Sequence, residues 1–250
     1  QGEPTTAEVG GEDVEKVGII GVAQSKFQKR SSESHDEMVY EVTCRALEDA
    51  RITIDEVDNS VTCTNDFFDG RTISCMTITD ASGSSKVPTS NVEGDGTYGA
   101  LLGLMRILSG HFNTTLVVAQ SKGSVGTPGI ITNAMFDPIY ERVLGLDAVN
   151  SAALQARKYM AKYGISEEQC AKVSVKNHKN ALNNPFAHLP LDIGLEDVLH
   201  SRMLADPIKL LDSSPISDGA CAIILARESD AYRYSDKPIW IRGVGHRTDT

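Results

Sequence analysis

Between Ala100 and Leu108 only Gly103 and Arg106 break a run of apolar side chains, and the run follows Val92-Glu93-Gly94-Asp95-Gly96-Thr97-Tyr98-Gly99. A helix over this segment is apolar around nearly its whole circumference. It has no side to offer water, so it is expected to be buried on all sides, sandwiched between two layers. Asp95 or Thr97 is placed to cap its start, and Gly110 suits its end. Thr114 to Gln120 (TTLVVAQ) reads as a strand directly after it.

The rest of the chain is organised around that helix. Val17 to Val22 is a short apolar run bounded by polar residues, a buried strand. Ser34-His35-Asp36-Glu37 has the spacing of a capping box, and Val39, Val42, Ala46 and Ala50 recur at helical intervals, which predicts a helix over 36–50. Val57 to Thr64 and Val87 to Val92 read as further strands, as do Ala220 to Ala226 and Pro238 to Val244. Ala148 to Tyr163 is one helix, and Ser166-Glu167-Glu168-Gln169 starts another that runs to about Asn180. Alternating strand and helix predict an α/β fold with a largely parallel sheet. The organisation expected is a loose tail at 1–15, a core at 16–135, a charged, helical insertion at 136–206, and a return to the core at 207–250.

The formal net charge of −10 leaves no basic face for a nucleic acid, since phosphate neutralisation requires one. No stretch reaches the roughly 18 consecutive apolar residues of a membrane helix. The five cysteines, Cys44, Cys63, Cys75, Cys170 and Cys221, form no CxxC pair, which points to reduced thiols, a cytoplasmic setting and no zinc site within the chain.

Several long segments resemble the thiolase superfamily, in particular sterol-carrier-protein-type thiolases and their lipid-transfer-protein relatives. They are VGIIGVAQSKF, the stretch Val92 to Gly110, TTLVVAQSKGS, YMAKYGISEEQCAKVSVKNHKNALNNPFAH, SRMLADPIKLLDSSPISDGACAIILA and IWIRGVGHRTDT. The resemblance implies a layered β-α-β sandwich with a buried central helix and a loop domain inserted at about Phe136 to Asp206 that helps to bind coenzyme A. It also implies a homodimer paired through the amino-terminal halves, an acyl-CoA thioester as substrate, and no covalently bound cofactor.

The departure from the family pattern matters more than the match. The family reads roughly V-E-x-x-C-x-S-G here, which places Gly96 where the nucleophilic cysteine belongs and Tyr98 at the usual serine. Glycine cannot form an acyl-enzyme. The family's other catalytic elements, a histidine and a cysteine of the second half, would lie beyond Thr250, so the chain reads as a fragment or one piece of a split enzyme. What survives at a helix start is a set of free N–H groups and the positive end of a dipole, suited to hold an enolate. A retro-aldol cleavage of a β-hydroxyacyl-CoA needs that, and a base, but no acyl-enzyme. Cysteine-free relatives that cleave sterol-derived acyl-CoA work with a zinc-ribbon/OB-fold partner subunit, and Glu-Gly-Asp-Gly-Thr with FFDGRTIS upstream resembles that branch.

The site residues expected are therefore Asp95, Gly96, Thr97 and Tyr98, with Lys176, His178 and His188 of the insertion as coenzyme A contacts. Each has a plainer role beside it. Asp95 is a helix cap, Tyr98 fills the core, the two histidines are structural, and Lys172, Lys176 and Lys179 form a solvated face. Cys75 is the cysteine nearest the vacant position in sequence but belongs to another segment, Cys221 is core packing in a strand, and Asp218-Gly219 is a turn. The competing functions are an atypical thiolase or acetyl-CoA acyltransferase, a non-catalytic acyl-CoA or lipid-binding subunit, and a structural subunit completed by an active partner.

Overall fold

The computed structural model describes residues 15–246, so the expected tail at 1–15 lies outside it but for Glu15. In chain order the elements are β1 (Val17–Gln24), α1 (His35–Ala50), β2 (Asn59–Thr64), α2 (Asp66–Asp69), β3 (Thr89–Glu93), α3 (Gly96–Leu108), β4 (Thr114–Lys122) and α4 (Pro128–Ala134). Then follow α5 (Ala148–Tyr163), α6 (Glu167–Ala181), α7 (Leu195–Leu199), β5 (Met203–Ala205), β6 (Ile208–Lys209), β7 (Asp218–Arg227), α8 (Glu228–Tyr234) and β8 (Ile239–Trp240). None of the described helices is long and apolar enough to cross a membrane.

Six strands form one sheet in the order β3-β2-β4-β7-β1-β8. The fold class is α/β, with helices on both faces of this sheet. Side chains alternate across it: Leu116, Val118 and Ile224 face α1, whereas Val117 and Leu225 face α3. On the first face Met38, Val39, Val42, Ala46 and Ala50 of α1 are buried, as the helical spacing predicts. The Ser34–Glu37 capping box forms: the Glu37 N–H donates to Ser34 Oγ at 3.2 Å and the Ser34 N–H to Glu37 Oε2 at 2.7 Å.

Four expectations need correction. The sheet is mixed rather than largely parallel. β2 runs parallel to β3 and β4, but β7 is antiparallel to β4 and β1, and β8 to β1. The reason lies in the connection: Lys122 at the end of β4 pairs with Asp218 at the start of β7, so the chain re-enters the sheet at the edge it left and must run back.

Asp218 and Gly219 are accordingly the first residues of a strand, not a turn. Asp218 is fully buried, and its carboxylate accepts the Ser31 N–H at 2.8 Å, the Ser124 hydroxyl at 2.6 Å and the Ser124 N–H at 3.0 Å. It ties two loops to the start of β7. The strand expected over 238–244 is only Ile239–Trp240, paired with Gly18 and Ile19.

The last correction concerns α3, whose burial is one-sided among the described residues. Gly99, Gly103, Leu104 and Ile107 are buried against the sheet, while Tyr98, Met105 and Leu108 are 42%, 57% and 37% exposed. An apolar circumference says that a helix will be covered, not by what. Among the described residues no second sheet lies over its outer face, and only the segment at 241–246 reaches across it.

Candidate active site at the start of the glycine-faced helix

Parallel strands β2, β3 and β4 end at one edge of the sheet, and α3 begins there. Gly94, at φ 153°, accepts a backbone geometry rare for other residues and turns the chain from β3 into the helix. The helix then lies unusually close to the sheet. A β-carbon built on Gly96 would stand 3.0 Å from the Ala119 β-carbon, one on Gly99 would stand 2.1 Å from the Cys63 sulfur, and one on Gly103 would stand 2.9 Å from Val117. Three glycines one turn apart form the flat side on which α3 rests.

The four expected residues do come together. Asp95 is the N-cap, its Oδ1 accepting the Thr97 N–H at 2.9 Å and the Tyr98 N–H at 3.4 Å. This occupies two of the donors that were to meet a thioester oxygen, so an enolate can use them only when the Asp95 carboxylate swings away. Asp95, Thr97 and Tyr98 also line a cavity of about 550 Å³ with Ile19, Leu101, Leu104, Ile241, Val244 and His246. The Tyr98 and His246 rings meet edge-on, 5.5 Å apart at 76°. Sequence reading missed His246, because roughly 150 residues separate it from Tyr98 and no spacing signals the contact.

It also undervalued two thiols. Cys63, Ala119 and Cys221 are cross-strand neighbours in one row under the start of α3, and the Cys221 sulfur is 3.9 Å from the place a Gly96 β-carbon would take. A sulfur therefore stands next to the position that the sequence resemblance assigns to the nucleophile. Its chemistry is poor, however. Burial pushes the Cys221 thiol above its ordinary range, and burial, with Cys221 and Asp95 nearby, pushes the Cys63 thiol up to about 12. Both are thiols, not thiolates, at neutral pH, and the thiolate is the reactive form. Cys75 lies in a short 3-10 helix over 74–78, away from this row.

The residues expected to lie in an insertion divide. His178 and His188 line a second cavity, of about 420 Å³, with Ser174, Asn177, Ser213 and Ser214, and Gln24 and Phe27 of the core form its opposite wall. His178 Nδ1 is 3.0 Å from the Leu189 carbonyl oxygen and donates to it, and His188 Nδ1 is 2.7 Å from Ser217 Oγ. Both rings are thus oriented by the protein, which leaves their other nitrogens to whatever enters. Lys176 is not part of this wall. Ser174, Asn177, His178 and Ala181 form one face of α6, and Lys172, Lys176 and Lys179 sit exposed on the opposite one.

Residues 17–229 match a known family, described as "Thiolase, N-terminal domain". Among curated proteins, the acetyl-CoA acetyltransferase of Methanothermobacter thermautotrophicus is 35% identical over 243 residues, spanning 94% of this chain and 63% of that protein. Human sterol carrier protein 2 is 29% identical over 235 residues, spanning 88% of this chain and 43% of its own length. The chain thus spans under two thirds of the length of these relatives. Among solved structures, the Ltp2-ChsH2(DUF35) aldolase superposes with a TM-score of 0.76 at 25% identity, covering 91% of this chain and 60% of that one. A human mitochondrial 3-ketoacyl-CoA thiolase in complex with CoA superposes with a TM-score of 0.65 at 15% identity, over 88% of this chain and 66% of that one, which is a likeness of fold.

Proposed function

The chain belongs to the thiolase N-terminal domain family, and on that premise we propose that it acts on carbon–carbon bonds of acyl-CoA thioesters, by retro-aldol cleavage of a β-hydroxyacyl-CoA. One observation carries the reading: beside Gly96, which the resemblance sets at the family's nucleophile position, the nearest sulfur belongs to a thiol that burial keeps protonated. Acyl transfer through a covalent thioester has no nucleophile here. Cleavage through an enolate needs none.

In the proposed reaction a base removes the β-hydroxyl proton, the Cα–Cβ bond breaks, and its electron pair passes to the α-carbon as an enolate of the thioester. The β-carbon leaves as a ketone or aldehyde, and protonation of the enolate gives the shortened acyl-CoA. Backbone N–H groups of Gly96, Thr97 and Tyr98 would steady the enolate oxygen once Asp95 turns aside, with the helix dipole favouring the negative charge. Tyr98, which lines the cavity beside His246, would meet the β-hydroxyl. His178 and His188 would contact the coenzyme A portion, with 136–206 as the loop domain.

The proposed assembly is a homodimer joined along the open edge of β3, with a zinc-ribbon/OB-fold subunit beside it, in the cytoplasm. The second component named with the similar aldolase supports a partner subunit. A steroid side chain as the acyl group is the narrowest form of the proposal.

A second reading, an atypical acetyl-CoA acyltransferase, draws support from the relative at 35% identity. One experiment separates the two. The full-length protein with its partner is given a β-hydroxyacyl-CoA and, separately, radiolabelled acetyl-CoA. Ketone or aldehyde release without labelled protein is the expected result. Label that survives denaturation, with no carbonyl product, would establish the transferase instead.

A further inference from the structure

We draw no further inference here: the strongest candidate, the apolar surface patch of the segment at 130–144, where Ile130, Ile139, Tyr140, Val143 and Leu144 are exposed while Asp137, Glu141 and Arg142 bond back to the segment's own backbone, carries no proposal, because nothing in the structure shows what covers it.

Discussion

Helices α1 and α3 rest on opposite faces of one sheet, and each comes closer to it than ordinary side chains allow, but they do so in opposite ways. Under α1 the sheet yields: a β-carbon on Gly21 would stand 2.6 Å from the Ala46 carbonyl oxygen and 2.7 Å from the Ala50 β-carbon. Under α3 the helix yields, through Gly96, Gly99 and Gly103, and the sheet supplies Cys63, Ala119 and Val117. The α1 face is also finished, with Met38, Val39, Val42, Ala46 and Ala50 sealed in the core. The α3 face is not, because Tyr98, Met105 and Leu108 remain open. A helix that only supports the sheet can spend its apolar residues inward. A helix such as α3, proposed to hold a site at its start, keeps its inner side flat and leaves the outer one for something else to meet.

The largest test of this contrast is Met38→Ala, which opens a cavity in the finished face and should cost about 2–5 kcal/mol in denaturant unfolding. Gly99→Ala comes next. Its methyl group collides with the Cys63 sulfur, at a cost of about 1–3 kcal/mol, and Cys63→Ala on the same chain should recover part of it. A double-mutant cycle with no coupling would show that α3 does not rest on that row.

The Cys63 thiol gives a pH signature. Its folded value, about 12, lies above the ordinary 9.0, so the unfolded chain releases the proton first as pH rises. The thiol's contribution to stability is complete below about pH 9 and is lost as pH climbs toward about 12. Unfolding measured across that window should show a gradual decline, reduced in Cys63→Ala. Thiol reagents at neutral pH should leave Cys63 unmodified until the protein unfolds. The smallest effect is Met105→Gln, on the open side of α3, expected to change stability by no more than about 0.5 kcal/mol. A loss as large as that of Met38→Ala would mean that the outer face is covered in solution, and the contrast would fall.

Much of the fold was legible because its signals are local. The Ser34–Glu37 box and the recurrence of Val39, Val42, Ala46 and Ala50 fixed α1, while Asp95 and the apolar run after it fixed α3. The direction of β7 was not legible. It depends on Lys122 meeting Asp218 after some 95 intervening residues, and no nearest-neighbour pattern records that. Within the candidate site, Asp95 to Tyr98 are consecutive and could be read together. His246 beside Tyr98, and Cys63 with Cys221 beneath Gly96 and Gly99, come from strands and loops far apart in the chain. Lys176 misled for a related reason: its spacing to Lys172 and Lys179 was right for one helical face, but spacing alone does not say which face meets the cavity.

By itself the amino-acid sequence determined the helices and most of the strands, since these depend on residue type and short-range periodicity, and it carried the resemblance from which Gly96 is proposed to stand at the nucleophile's position. Only the tertiary structure decided that Asp95 occupies the donors of α3, that two protonated thiols lie under them, and that His35, Asp69 and Gln120 meet on the far side of the sheet. Those facts are distances between residues remote in sequence. They exist only once burial of the apolar faces has drawn the strands into one order and brought their ends to a common edge.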